Sequence, residues 1–127
     1  MAASVVGPID GVTHGEGAAW VSSREGPATV LTVVGELDHF TCVGSFAAAL
    51  WALESDDEDV ILEMAGVAFI DAAALGLIEQ MERRWVLRGR TLLVRTPSPP
   101  VGRLLDLTQL GDLIERPEAT PELQVVQ

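Results

Sequence analysis

The sequence predicts a single α/β domain with a mostly parallel sheet, one antiparallel strand from an N-terminal hairpin, and flanking helices. Short β-branched runs alternate with segments of helical spacing, which is the pattern of strands joined in parallel through helices. Only the turn signal Glu25-Gly26-Pro27 separates the first two runs, which indicates a hairpin. The chain of 127 residues is long enough for one domain with its own core. We expect a flexible arm over 1–18, the domain over 19–116 and a polar tail over 117–127.

The first half of the chain predicts the hairpin and the first helix. Strands are expected over 19–24 and 28–34, because both stretches are rich in β-branched and apolar residues. Thr41 is a favourable N-cap for a helix that runs to about Ser55. Its apolar residues recur at helical spacing and should form the buried stripe: Val43, Phe46, Ala47, Leu50 and Leu53.

The next strand and helix enclose the stretch on which the functional prediction depends. A short buried strand is expected over 60–64 and should end at Gly66. Asp71 is a favourable N-cap for a helix that runs to about Arg88, with Gly89 just beyond its end. The apolar stripe of this helix should consist of Leu77, Ile78, Met81 and Trp85. In open α/β sheets, ligands and partners bind at the carboxyl ends of the strands, which is where Asp71 is expected.

The last elements are shorter. A strand is predicted over 91–95, and Ser98 followed by proline marks the start of a third helix that stops near Gly111. A final short strand is expected over 113–115.

Composition excludes several classes of function. The net charge is −11, from 19 acidic against 8 basic residues, so nucleic acid and anionic lipid surfaces should repel the protein. All eight bases are arginine, and without lysine neither a Walker-type phosphate loop nor Schiff-base chemistry can operate. The single cysteine, Cys42, rules out an internal disulfide. With no signal peptide and no apolar run of membrane-spanning length, we expect a cytoplasmic protein without direct membrane insertion.

Two acidic features of the sequence are candidates for chemical sites. The run 56–59 follows a helix and predicts a solvated turn, because nothing near it supplies a cation loop of fixed geometry. Asp38 and Asp71 should lie close together at strand ends, and paired carboxylates can perform acid–base chemistry. Since no nucleophile accompanies them, we expect capping roles, no enzyme activity, no cofactor and no metal.

Several motifs, in this order along the chain, resemble the STAS family of anti-sigma factor antagonists and related bacterial regulatory domains. They are Gly35–Asp38, Val60–Val67, Phe69–Asp71, Thr96–Pro99 and Leu104–Leu110. The resemblance covers roughly residues 19 to 116 and implies the family's α/β fold, a role in signal transduction and transcription regulation, and a protein partner.

The resemblance also implies that the family's usual switch is absent. Phosphorylatable members carry Asp-Ser-Ser-Gly-Leu at this helix start, and a kinase modifies the second serine. The same positions here are Asp71-Ala72-Ala73-Ala74-Leu75, so Ala73 stands at the phosphoacceptor position. Thr41 and Ser98 remain alternative phosphorylation sites beside their capping roles, and the alanines also suit an ordinary first helical turn.

The first hypothesis is therefore a non-catalytic module that binds an anti-sigma factor or a related switch kinase, and a homodimer is compatible with it. The predicted partner-binding residues are Asp38, His39, Phe40, Thr41, Asp71, Ala72, Ala73, Ala74, Leu75 and Gly76. Two alternatives stay open: an accessory subunit of a membrane lipid transporter, and a nucleotide-binding STAS domain.

Overall fold

A computed structural model describes residues 17–38 and 43–115, and it confirms the predicted α/β architecture. The elements follow the expected order. They are β1 (Ala18–Glu25), β2 (Ala28–Leu37), α1 (Val43–Glu54), β3 (Asp59–Ile70), α2 (Ala72–Leu87), β4 (Leu92–Arg95), α3 (Pro99–Leu107) and a 3-10 turn (Gly111–Leu113).

The four strands form one mixed sheet in the order β1-β2-β3-β4. Strands β1 and β2 pair antiparallel as the predicted hairpin, and Gly26 supplies the positive φ of 61° that their tight turn requires. The β2–β3 and β3–β4 pairs are parallel, as expected for strands joined through helices.

The described helices share a single core with one face of the sheet, here called the inner face. Side chains alternate along the strands between this buried face and a less buried outer face. Trp20 packs edge-on against Phe46 of α1, with ring centroids 5.5 Å apart. Trp85 of α2 is buried, and its indole Nε1 donates a hydrogen bond of 2.9 Å to the Glu58 carbonyl.

The buried stripes of the first two helices differ slightly from the prediction. In α1, Ala49 is buried and Ala47 only partly so, while the side chain of Val43 lies outside the described residues. In α2, the stripe begins earlier, at Ala74 and Leu75, and Leu77 is only partly buried. Helix α2 ends as expected, with Gly89 at a positive φ of 75°.

Strand β3 does not end at Gly66, so that prediction is wrong. It continues to Ile70 and contains two extra residues relative to β2, and the pairing register shifts at each of them. Ala28 pairs with Asp59 and Leu37 with Ile70, so nine residue steps on β2 accompany eleven on β3. Gly66 lies between the shifts, where a Cβ atom would come within 2.8 Å of Val34 Cγ1.

Gly35 in the hairpin cannot be replaced by any residue with a side chain. Its φ is +99°, and a Cβ built there would overlap the Gly17 carbonyl. That carbonyl accepts a hydrogen bond from the Glu36 backbone N–H, which fixes where the chain enters β1.

The predicted strand over 113–115 is reduced to a single bridge. Residues 111–113 form the 3-10 turn, after which Ile114 bridges Val94 in parallel. The Glu115 N–H then donates a 2.7 Å hydrogen bond to the Val94 carbonyl.

A buried carboxylate joins α1 to α2. The side chain of Glu54 is 8% exposed and accepts hydrogen bonds of 3.1–3.2 Å from the Arg84 guanidinium, with Arg88 at 3.7 Å. The same Arg84 guanidinium stacks on the Trp51 ring, 4.1 Å from its centroid. Since a buried carboxylate is costly without partners, this arrangement holds the two helices in one relative position.

Two carboxylates elsewhere titrate below their usual range. Hydrogen bonds from Arg95 lower the pKa of Glu115. In turn, the hydrogen bonds that Arg95 donates to Glu115 and to Glu25 raise the pKa of Arg95. The Thr29 hydroxyl, and then Arg24, lower the pKa of Glu58 despite some opposing desolvation. Both carboxylates therefore favour the folded state while they are ionised.

Replacing Glu115 with Gln should lower the free energy of unfolding at pH 7 by about 0.5–1 kcal/mol, since a partly exposed ion pair is lost. The folded-state pKa of Glu115 lies below the ordinary value of about 4.3, so its contribution is complete above that pH. It disappears as the pH falls through the lower folded-state pKa. Urea unfolding between about pH 7 and pH 3 should therefore show a shallower acid decline for the variant. Glu82→Gln, which makes the same charge change away from Arg95, is the control, and equal behaviour of the two variants would contradict the prediction.

Candidate functional site

The candidate site lies where β2 and β3 end at the carboxyl edge of the sheet. Leu37 and Ile70, the last residues of the two strands, are register partners. The next residues, Asp38 and Asp71, therefore follow from neighbouring strand ends, and the Asp71 N–H donates a 3.2 Å hydrogen bond to the Leu37 carbonyl. The predicted proximity of these two acidic positions agrees with this register.

Asp71 caps α2 as predicted. Its backbone is extended, with φ −106° and ψ 175°, and its Oδ1 accepts a 2.9 Å hydrogen bond from the Ala74 N–H. The Asp71 carbonyl accepts the first helical hydrogen bond, 3.0 Å from the Leu75 N–H. One side chain thus satisfies a backbone donor that the start of a helix leaves unpaired.

The first turn of α2 presents a small apolar surface. Ala72, Ala73 and Gly76 are exposed. Ala74 and Leu75, which were also among the predicted partner-binding residues, are buried and belong to the core, so their side chains are not part of this exposed surface. The reason is helical periodicity. Side chains turn around the helix axis with a period of about 3.6 residues, so those of Ala74 and Leu75 point towards the sheet when those of Ala72 and Ala73 point away from it.

The remaining predicted site residues, His39, Phe40 and Thr41, lie outside the described residues. We keep the name helix-start surface for the exposed residues Ala72, Ala73 and Gly76 together with the adjoining Asp38 and Asp71.

The helix-start surface offers contact rather than reactive groups. Its three α2 residues, Ala72, Ala73 and Gly76, have no functional side chain, so these positions carry no hydroxyl, thiol or amine. Within residues 17–38 and 43–115 there is no group of three or more His, Cys, Asp or Glu that could hold a metal ion.

Ser98 is not an accessible hydroxyl. It is the residue before α3, but its hydroxyl makes no capping hydrogen bond. Instead the buried Oγ donates a 2.6 Å hydrogen bond to the Val67 carbonyl, and the Ser98 N–H donates a 3.3 Å bond to the Met64 carbonyl. Because its only proton is engaged inside the protein, Ser98 is unsuited to phosphorylation in the folded state.

The sequence did not reveal that an apolar side chain stands exposed next to this edge. Phe69 belongs to an apolar stretch of the sequence, yet it is 46% exposed and is the register partner of Glu36. The second extra residue of β3 turns Phe69 outward, and the irregular spacing of apolar residues after Met64 was the available signal.

Comparison with known proteins decides the family. The sequence profile of the STAS domain matches residues 19–124. The chain belongs to the STAS domain family. One similar structure is an anti-sigma factor antagonist from Mycobacterium paratuberculosis. Two others are of SpoIIAA: the Bacillus cell fate determinant in its phosphorylated form, and the anti-sigma factor antagonist in its unphosphorylated form.

These structures share the STAS fold with this chain at low sequence identity. The mycobacterial protein is 16% identical with a TM-score of 0.69, and the match covers 78% of this chain and 84% of that one. Phosphorylated SpoIIAA is 21% identical with a TM-score of 0.59, covering 86% and 100%. The unphosphorylated form is 20% identical with a TM-score of 0.56, covering 84% and 96%. No helix in the described part of this STAS domain has the length and apolar character needed to cross a bilayer.

Replacing Asp71 with Ala in this STAS domain should lower the free energy of unfolding by about 1 kcal/mol, since the Ala74 N–H loses its acceptor. Asp71→Ser is the matched control, because a serine hydroxyl caps nearly as well and should retain most of the stability. Urea unfolding followed by circular dichroism measures both. A loss as large for Asp71→Ser as for Asp71→Ala would contradict the capping role.

Proposed function

We propose that this STAS domain is a non-catalytic regulatory module that binds an anti-sigma factor or a related switch kinase through its helix-start surface and the loop over 38–41. We further propose that binding does not depend on phosphorylation of α2, because Ala73 occupies the position where phosphorylatable relatives carry serine.

The observation that carries this proposal is the exposure of Ala72 and Ala73 at a capped helix start beside two acidic residues. A phosphate at this position would add about −1.5 to −2 charges near neutral pH. The helix itself would tolerate that charge at its N-terminus, but a partner packed closely against it would have to desolvate it. A cost of even ~4 kcal/mol weakens binding about a thousandfold.

The family and the described neighbours support the regulatory part of the proposal. Two of the similar structures are described as anti-sigma factor antagonists, and one is a phosphorylated form. An alanine at position 73 leaves that position without a charge. Binding would then respond to the amount of the two proteins, or to a signal acting elsewhere.

Replacing Ala73 with Glu should weaken partner binding by at least tenfold, since the new carboxylate would be buried at the contact. Stability should not fall, because an acidic side chain in the first turn of a helix is favourable. Calorimetric titration against each switch-kinase anti-sigma factor of the source genome measures the affinity. The control is Ala48→Glu at an exposed position of α1, which should leave affinity unchanged. Equal affinity of wild type and both variants would remove the helix-start surface from the interface.

Incubation of the wild-type protein with its bound switch kinase and ATP should leave α2 without phosphate. The variant Ala73→Ser restores a hydroxyl at an exposed position and should accept phosphate there, after which binding should be lost. Intact-mass and peptide mass spectrometry measure both. Phosphate on the Ala73→Ser variant without loss of binding would contradict the proposal. Stable phosphate on wild-type protein at another residue, Thr41 included, would show that phosphorylation outside α2 controls the protein.

A further inference from the structure

The outer face of the sheet carries an apolar groove near the start of β1. The groove is lined by Ala19, Trp20, Val21, Thr32 and Val34 and has a volume of about 160 Å³. Val34 is 45% exposed, although a β-branched apolar residue in the middle of a sheet is usually covered. The described helices leave this face uncovered, because their buried residues belong to the core on the inner face.

The size of the groove indicates a single inserted side chain. Apolar cavities of ~150 Å³ accept a ligand as large as benzene, so the groove can take one isoleucine- or ring-sized group. A stable interface between two copies would instead need ~800 Å² from each. Two chains of net charge −11 would also repel each other, which argues against a second copy as the occupant.

The chain enters the described structure directly beside this groove. Gly17 precedes β1, and its carbonyl is held by the Glu36 N–H. Gly17 has a positive φ of 96°, so the backbone bends there and does not continue as a straight strand. Ala19 and Val21, on one wall of the groove, lie only two and four residues further on, about 7 to 14 Å away.

We propose that residues 1–16 supply the occupant, with Ile9 or Val12 seated in the groove. Sixteen residues precede Gly17, and an extended chain spans up to ~3.3–3.6 Å per residue, so Val12 and Ile9 can return to the groove with length to spare. A segment joined this closely is present at an effective concentration in the millimolar range, which favours it as the occupant over any separate molecule at lower concentration. Residues 39–42 also lie outside the described residues, but they are tied at both ends, to Asp38 and Val43. The C-terminal segment leaves from Glu115 beyond β4, three strand spacings away at ~14 Å.

Thiol accessibility in the full-length chain tests this occupancy. Cys42, the single cysteine, is first replaced by serine, and Val34→Cys then reports on the groove. The matched reference is Val86→Cys on α2, which is 55% exposed against 45% for Val34. With the arm in place, the thiol at position 34 should react about tenfold more slowly than the thiol at 86 with a small maleimide.

The decisive variant adds Ile9→Asp and Val12→Asp to the same chain. It should raise the rate at position 34 about tenfold and leave position 86 unchanged, because aspartate is not seated in an apolar groove. Thr13→Asp with His14→Asp adds two negative charges at polar positions of the arm and should change neither rate. Faster reaction at both 34 and 86 would identify a variant that unfolds, and the ratio of the rates at 34 and 86 in the chain with the wild-type arm then decides.

Three results would overturn the proposal. The first is equal reactivity of positions 34 and 86 in the full chain. The second is slower reaction at position 34 with increasing protein concentration, which would identify a second copy. The third is exposure of position 34 by Leu123→Asp with Val125→Asp instead, which would identify the C-terminal segment.

Discussion

The parallel pairing of β2 with β3 is the constraint on which the rest of the molecule depends. The two strands run side by side from Ala28 and Asp59 to Leu37 and Ile70, and β3 uses two more residues to cover the distance. One extra residue would reverse which side chains face the core, whereas a second restores the original alternation. Leu37 and Ile70 therefore both end their strands buried, and the chain leaves the sheet at one level on both strands.

That shared level determines the geometry of the helix-start surface. Because Asp71 leaves β3 level with the end of β2, its N–H reaches the Leu37 carbonyl while its carboxylate caps α2. The first turn is then fixed by burial of Ala74 and Leu75, which leaves Ala72 and Ala73 outside. At the far end, Arg84 and Arg88 hold the same helix to Glu54 of α1. A rigid helix with a fixed first turn is well suited to present a contact surface.

The sequence predicted the features that local chemistry controls. The order of elements, the hairpin at Gly26, the cap at Asp71 and the helix end at Gly89 follow from residue preferences that operate within a few positions. The course of β3 after Met64 could not be predicted, since its buried residues no longer alternate strictly once extra residues intervene. The same irregularity concealed the outward position of Phe69. The burial of Ser98 depends on residues some thirty positions earlier in the chain, which no local pattern encodes.

The buried hydroxyl of Ser98 also limits how this chain can vary over evolutionary time. Strand β4 pairs with β3 only as far as Glu63, so the carbonyls of Met64 and Val67 need hydrogen-bond donors from elsewhere. Ser98 provides both donors, its backbone N–H to Met64 and its hydroxyl to Val67. A substitute at 98 must be small and must carry a donor, which leaves few amino acids. Position 98 and the length of β3 should therefore drift together among descendants of this gene.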